Sequence, residues 1–187
     1  MNYCSACGEK VRYFIPEGDN RHRFVCESCK IIHYENPKIV TGCIAEWENK
    51  ILLCKRAIEP RYGLWTLPAG FMENSETNMQ GAARETAEEA NAQVENMRLF
   101  CVFSIAHINQ VYTMYRGDLV GGEASPGAES LDTALLKESE IPWQDIAFHV
   151  IDETLKRYYQ DKKQGQFKTH YGDIHKQDEN SYIVNYF

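Results

Sequence analysis

The sequence predicts an α/β chain of the α+β type, in which a small cysteine-built unit precedes a mixed domain. Two Cys-x2-Cys pairs lie within the first 29 residues, β-branched and aromatic runs recur after residue 36, and one glutamate-rich stretch has helical periodicity. With 187 residues, 43% of them hydrophobic, the chain can bury the core of one ordinary domain plus something smaller. The expected division is a ribbon over 1–35, a main domain over 36–162 and a C-terminal extension over 163–187.

The break falls at Asn36-Pro37, because proline steers the residue before it out of helical geometry. Ile39 to Ala45 and Ile51 to Lys55 then read as strands joined by a turn at Glu48-Asn49-Lys50. Gly63 to Gly70 is a short extended piece closed by proline and glycine. A helix is expected from Met79 to Ala90, entered through a capping box of Thr77 and Gln80. Met97 to Ile105 and Gln110 to Val120 are further strands, with a turn at His107-Ile108-Asn109 between them. Gly121 to Gly127 is a loop, and Pro142 opens a final helix running to about Tyr159. Tyr182 to Phe187 is an apolar ending suited to an edge strand.

The formal charge of −7 is uneven, since residues 36–161 carry eleven basic and nineteen acidic side chains, a net −8. An acidic body repels phosphate backbones, so a small-molecule partner is expected and nucleic acid is not, unless bound cations reverse the field. No run approaches the ~20 apolar residues of a membrane span, and the first residues lack a secretory pattern. A cytoplasmic location without a membrane partner is the expectation.

Cys4-x2-Cys7 and Cys26-x2-Cys29 stand eighteen residues apart, the spacing of a two-knuckle, four-thiolate zinc site. Four thiolates leave no position for water, so this Zn2+ is structural and supplies folding energy that so short a segment cannot obtain from burial. His22 and His33 are then expected at the surface. Cys43, Cys54 and Cys101 sit singly in apolar runs and read as small buried hydrophobes.

The stretch Gly70-x5-Glu76-x7-Arg84-Glu85-x2-Glu88-Glu89 carries the chemistry. On a helix advancing about 100° per residue, Glu85, Glu88 and Glu89 share an arc of roughly 100°, where like charges repel. Carboxylate oxygens are the ligands that Mg2+ and Mn2+ accept, so a hard dication resolves the repulsion. Met79, Ala83, Ala87 and Ala90 cluster opposite, as the face expected to pack on a sheet. A merely solvated acidic face is the alternative. At roughly 6% per residue, however, six fixed positions coincide on the order of once in 10⁵ chains of this length.

This stretch resembles the signature of the Nudix hydrolases, a family acting on nucleoside diphosphates linked to another moiety. The likeness covers about residues 36–160, and the ribbon before it narrows it to ribbon-bearing members. The resemblance implies an α/β/α sandwich with a mixed sheet and hydrolysis of a pyrophosphate bond. It also implies catalytic Mg2+ or Mn2+ held by Glu85, Glu88, Glu89 and the Gly70 carbonyl. Thr86 and Ala92 stand where the family has larger aliphatic residues, and Asn91 where it has glycine; asparagine tolerates the left-handed conformation of a helix end. Glu76 and Arg84 are expected to pair and fix the loop against the helix, and Glu129 is a candidate metal ligand or general base. Arg56 and Arg61 are candidates for gripping phosphate; His107, Gln110 and Tyr112 are candidates for holding base or ribose.

Pro126 to Ser130, Ile141-Pro142-Trp143 with Ala147-Phe148, and Gly165-Gln166-Phe167 with His170 are similar to a subgroup that cleaves FAD and ADP-ribose. The Ser-Gln-Pro-Trp-type motif of NADH-cleaving relatives is not found downstream. NADH or NAD-capped RNA is the alternative substrate class, and a non-catalytic nucleotide-sensing module is the alternative role. The apolar carboxyl terminus is a candidate contact for a homodimer.

Overall fold

The computed structural model describes residues 1–178 and 181–187. The chain divides into two units, Met1–Pro37 and Lys38–Phe187. No described helix is long and apolar enough to cross a membrane.

In the first unit, β1 (Val11–Phe14), β2 (Arg23–Cys26) and β3 (Ile32–His33) form an antiparallel sheet in that order. The two cysteine knuckles are built alike. Gly8 N–H donates to the Cys4 carbonyl at 2.9 Å and Lys30 N–H to the Cys26 carbonyl at 2.8 Å. Each turn closes on a left-handed residue, Gly8 at φ 78° and Lys30 at φ 63°. Backbone N–H groups of the turns face sulfur, Ala6 toward Cys4 Sγ at 3.4 Å and Cys29 toward Cys26 Sγ at 3.5 Å. The Cys29 N–H brings the Cys26 thiol down to about 7.

The four sulfurs lie within 4.8 Å of one another, Cys4–Cys29 at 3.6 Å and Cys7–Cys26 at 3.5 Å. A tetrahedron with zinc–sulfur bonds of about 2.3 Å has edges of about 3.8 Å, so the cluster is sized for that ion. His22 is exposed and stacks on Tyr13. His33 departs from expectation, because β2–β3 pairing sets it opposite Phe24 and its Nε2 comes within 3.3 Å of Cys4 Sγ.

Among the described residues, the second unit is built on a nine-stranded mixed sheet. Its strands are β4 (Lys38–Trp47), β5 (Lys50–Arg56), β6 (Trp65–Thr66), β7 (Ala69–Phe71), β8 (Val94–Ile105), β9 (Gln110–Leu119), β10 (Ser130–Leu136), β11 (His170–Lys176) and β12 (Tyr182–Tyr186). The order is β10-β5-β4-β9-β8-β11-β12, with β6 on β5 and β7 on β4. The β4–β9 and β8–β11 pairs are parallel. The expected hairpin closes at Glu46↔Ile51 and Trp47↔Lys50; beyond it β7 takes β5's place beside β4, pairing Thr41 with Gly70.

Two helices, α1 (Asn78–Ala90) and α2 (His149–Gln164), cover opposite faces, giving the α/β/α sandwich. Strand alternation explains the division. Val40 and Ile44 of β4 and Met114 of β9 meet Ile151, Leu155 and Tyr158 of α2, whereas Cys43 of β4 and Tyr115 of β9 meet Ala82 of α1. Cys43, Cys54 and Cys101 are at most 1% exposed, as expected of small hydrophobes, and burial pushes all three thiols up.

The α1 capping box forms as expected, a device worth about 1 kcal/mol, and Asn91 ends the helix at φ 47°, ψ 37°. The packed face does not follow expectation. Met79 is 43% exposed and Ala87 is exposed, while Gly81, Ala82, Thr86 and Ala90 are buried together with Glu85 and Glu89. Thr86 fits this face because its hydroxyl donates back to the Ala82 carbonyl at 2.8 Å.

Helix α2 starts seven residues later than Pro142 suggests. Trp143–Asp145 form a 3-10 turn, after which Ile146 bridges Trp65 and Ala147 N–H donates to the Trp65 carbonyl at 2.8 Å. The stretch after residue 163 enters the sheet. Strand β11 pairs with β8, and β12 lies at the edge beside it.

Replacing one thiolate should unmake the first unit while sparing the second. Cys4→Ser is expected to lose stoichiometric zinc and the ordered ribbon, read by metal analysis and amide NMR, while the main unit's spectrum persists. Full zinc retention by that variant would contradict the four-thiolate assignment.

Candidate active site

The site is built where the middle and last turns of α1 meet three loops. Arg84 is the clamp at the former. Its Nε and Nη2 donate to Glu76 at 3.0 and 2.9 Å, and Nη2 also reaches the Phe71 carbonyl at 3.1 Å, so the loop after β7 is tied to the helix. Those bonds hold the Glu76 carboxyl down at about 2. Arg84 Nη1 also bridges Glu85 at 2.8 Å and Glu88 at 2.9 Å. That bridge was not read from the sequence, although Glu88 lies four residues on, at ion-pair spacing.

The three glutamates differ in environment. Glu85 and Glu89 are 9% and 5% exposed, while the Glu88 side chain is 60% exposed. Gly70 lies directly against Glu85, and any Cβ there would fall 2.4 Å from its carboxylate atoms. Ala69 N–H donates to Glu89 Oε2 at 3.2 Å. Burial raises Glu85 above the ordinary carboxylate range and pushes Glu89 up to about 8, with neighbouring Glu129 adding to both shifts.

Among the described residues only the four cysteines bring three or more ligand atoms within 4.8 Å of one another, so the carboxylates are not drawn to one point. Their chemistry still fits a hard dication. Glu85 accepts from one guanidinium and Glu89 from one backbone N–H, leaving lone pairs unmet by the described residues.

The loop 121–129 brings in the fourth carboxylate. Ser125 N–H and Gly127 N–H donate to the Ala90 and Glu89 carbonyls at 2.9 and 3.0 Å, and Asn91 Nδ2 holds the Pro126 carbonyl at 2.9 Å. A Cβ on Gly127 would strike the Glu88 carbonyl, so only glycine allows this approach. The Glu129 carbonyl then accepts from Ala57 N–H at 2.8 Å, which leaves its exposed side chain within the field of Glu85 and Glu89.

Arg56 closes the opposite side. Its guanidinium donates to the Pro60 carbonyl at 3.0 Å, stands 5.1 Å from the Phe148 ring centroid and acts electrostatically on Glu89 and Tyr112. Tyr112 is buried on β9, and Gln110 begins that strand. Arg61, left-handed at φ 71°, acts on His149, and His107 lies in the 3-10 turn with its ring 6.1 Å from Tyr182. Glu85, Glu89, Glu129, Arg56 and Tyr112 therefore share one centre, with Arg61 and His107 beside His149 and Tyr182, which the sequence did not single out. A cavity of about 480 Å³ beyond Asn91 has Glu123 as its sole charged lining residue, and lacks the means to hold a phosphate.

Comparison with known proteins agrees with this geometry. A zinc-ribbon model described as Nudix N-terminal matches residues 2–35, and the NUDIX domain model matches residues 36–130. The chain is 34% identical over 165 residues to the NAD-capped RNA hydrolase NudC of Photobacterium profundum, covering 83% of this chain and 58% of that protein. It is 30% identical over 115 residues to an ADP-ribose pyrophosphatase of Methanocaldococcus jannaschii, covering 58% of this chain and 67% of that one. The crystal structure of a NUDIX hydrolase from Nitrosomonas europaea superposes with a TM-score of 0.90 at 57% identity, over 94% of this chain and 100% of that chain. The chain spans 50–60% of the length of four NudC relatives. With its NUDIX match over half of its length and that fold shared almost end to end, the chain belongs to the Nudix hydrolase family.

Proposed function

We propose that this chain hydrolyses the pyrophosphate bond of a nucleoside diphosphate linked to another moiety, releasing a nucleoside monophosphate and a phosphorylated remainder. FAD and ADP-ribose are its first candidate substrates. The observation that carries this reading is the pair of buried carboxylates, Glu85 and Glu89, set against Gly70 and faced by a buried arginine, Arg56.

Glu85, Glu88, Glu89 and the Gly70 carbonyl would hold Mg2+ or Mn2+, which polarises phosphoryl oxygens and makes a bound water a better nucleophile. Arg84 stays fixed by its two bonds to Glu76 while yielding its Nη1 contacts with Glu85 and Glu88. Arg56 spends one donor on Pro60 and offers the rest of its planar fork to phosphate. Glu129, exposed and adding to the raised pKa of both buried glutamates, would serve as a further metal ligand or accept the proton of the attacking water. Tyr112, buried on β9 and within the field of Arg56, would help hold the base or ribose.

Similarity to NudC favours a second reading, NADH or the NAD cap of an RNA as substrate. The net −8 of residues 36–161 favours a small molecule over a polynucleotide. A panel of FAD, ADP-ribose, NADH, diadenosine polyphosphates and nucleoside triphosphates, each with Mg2+ or Mn2+ and product identification, decides. Turnover of FAD or ADP-ribose is expected; preference for NADH would install the second reading, and binding without any turnover would leave a sensing module.

Glu88→Gln and Glu89→Gln are each expected to lower kcat by about two to three orders of magnitude with an unchanged circular dichroism spectrum. Near-normal rates would remove those residues from the mechanism.

Because burial pushes Glu89 from 4.5 to about 8, the folded protein without Mg2+ or Mn2+ keeps a proton that the unfolded chain releases between those values. Its contribution to stability is present below the lower value and is lost as pH rises through the upper one. In buffer free of Mg2+ and Mn2+ that leaves the zinc in place, wild-type Tm should fall across that window, and Glu89→Gln should flatten the decline and melt above wild type at the alkaline end. Parallel melting curves would refute it.

A further inference from the structure

A group of rings unused by the hydrolytic step lies beside the site. His149, the first residue of α2, and Tyr182, the first of β12, stand with ring centroids 3.9 Å apart and planes at 37°, and the His107 ring is 6.1 Å from Tyr182. Tyr182 is half-buried against the core, whereas His149 and His107 are exposed. The backbone of Tyr182 pairs with Lys176, but among the described residues no side-chain hydrogen bond ties down any of the three rings. Burial lowers the His149 pKa and Arg61 and Lys156 lower it further, against the opposing pull of Asp152, which favours the neutral imidazole suited to stacking.

The rings adjoin the site through a chain neighbour. His149 follows Phe148, the ring beside Arg56, and Arg56 acts on Glu89. Phe148 is the N-cap of α2 and His149 its first residue, so the ring beside the guanidinium and the first ring of the stack occupy consecutive positions.

We propose that His149, Tyr182 and His107 form a ring-binding subsite, a stacking surface for a planar heteroaromatic group joined through a sugar or polyol to the diphosphate. It rests on the pyrophosphatase reading. The exposed His149 ring, backed by Tyr182, offers its outward side to any aromatic heterocycle, because each presents a π-face, and it leaves selection between ligands to which half of the substrate reaches it. Arg61 beside His149 suits the anionic linker leading to such a ring.

The test is titration calorimetry of the full, zinc-loaded chain in buffer free of Mg2+ and Mn2+ and without chelator, where nothing turns over, with ADP-ribose and with FAD. His149→Ala and Tyr182→Ala are each expected to weaken at least one ligand by about tenfold or more, while Tyr182→Phe, which keeps the ring, stays within about twofold. Loss with both ligands identifies the bound ring as adenine, and loss with FAD alone identifies it as the flavin. His149 is exposed, so its variant tests the surface without disturbing the core. Unchanged affinity of both alanine variants for both ligands, or a wild type that binds neither, overturns the subsite. A wild type that binds both yet hydrolyses neither with Mg2+ or Mn2+ defeats the pyrophosphatase reading, and the subsite is then judged on dissociation constants alone.

Discussion

Ionised carboxylates resist burial, yet Glu85 and Glu89 are buried where α1 meets the turn between β6 and β7. The main unit is arranged around that conflict. A face of Gly81, Ala82, Thr86 and Ala90 lets α1 lie low on β4 and brings both glutamates to the backbone of Ala69 and Gly70. Glycine at position 70 is required by the carboxylate stacked on it. Glycine at position 127 is required by the same helix, because the loop that carries Glu129 can touch the Glu88 carbonyl only without a side chain.

The two arginines of the site divide its work by how fully their donors are engaged. Arg84 is spent on Glu76, the Phe71 carbonyl, Glu85 and Glu88, and acts as a structural clamp. Arg56, also largely buried, makes one backbone bond and stands by an aromatic ring, so its remaining donors are open to an anion. A largely buried cation with no ion pair to a carboxylate among the described residues keeps its charge available to an anion. The first unit solves a different problem by different means. Its core contains little beyond Val25 and the buried sulfurs of Cys4 and Cys26, so the cohesion of its short strands comes from the four-sulfur cluster.

Much of this was legible in the residues because local rules carried it. The knuckles follow from cysteine spacing, α1 from its capping box and the left-handed tolerance of Asn91, and the β4–β5 hairpin from β-branched runs around a turn. Two strands escaped notice for physical reasons. Strand β10, Ser-Leu-Asp-Thr-Ala-Leu-Leu, is a half-exposed edge held by β5, and β11 buries only Gly172 and Ile174 among polar residues; both are strands because a neighbour supplies hydrogen bonds, not because of propensity. The start of α2 was misplaced because a bridge from Ile146 to Trp65 holds extended a segment whose local signals favour a helix.

By itself the sequence determined which chemistry is present: four thiolates paired by spacing, and three carboxylates on one helical arc with an arginine and a glutamate at fixed offsets. Those facts are short-range, and helical or knuckle geometry converts them directly into shared direction. Only the tertiary structure decided which side of α1 is buried, since the apolar periodicity pointed to Met79 and Ala87 while close packing selected glycine, alanine and two acids. It alone set Arg56, Glu129 and Tyr112 around those acids and brought His149 to Tyr182, because these neighbours are far apart along the chain and strand pairing, not periodicity, determines who meets whom.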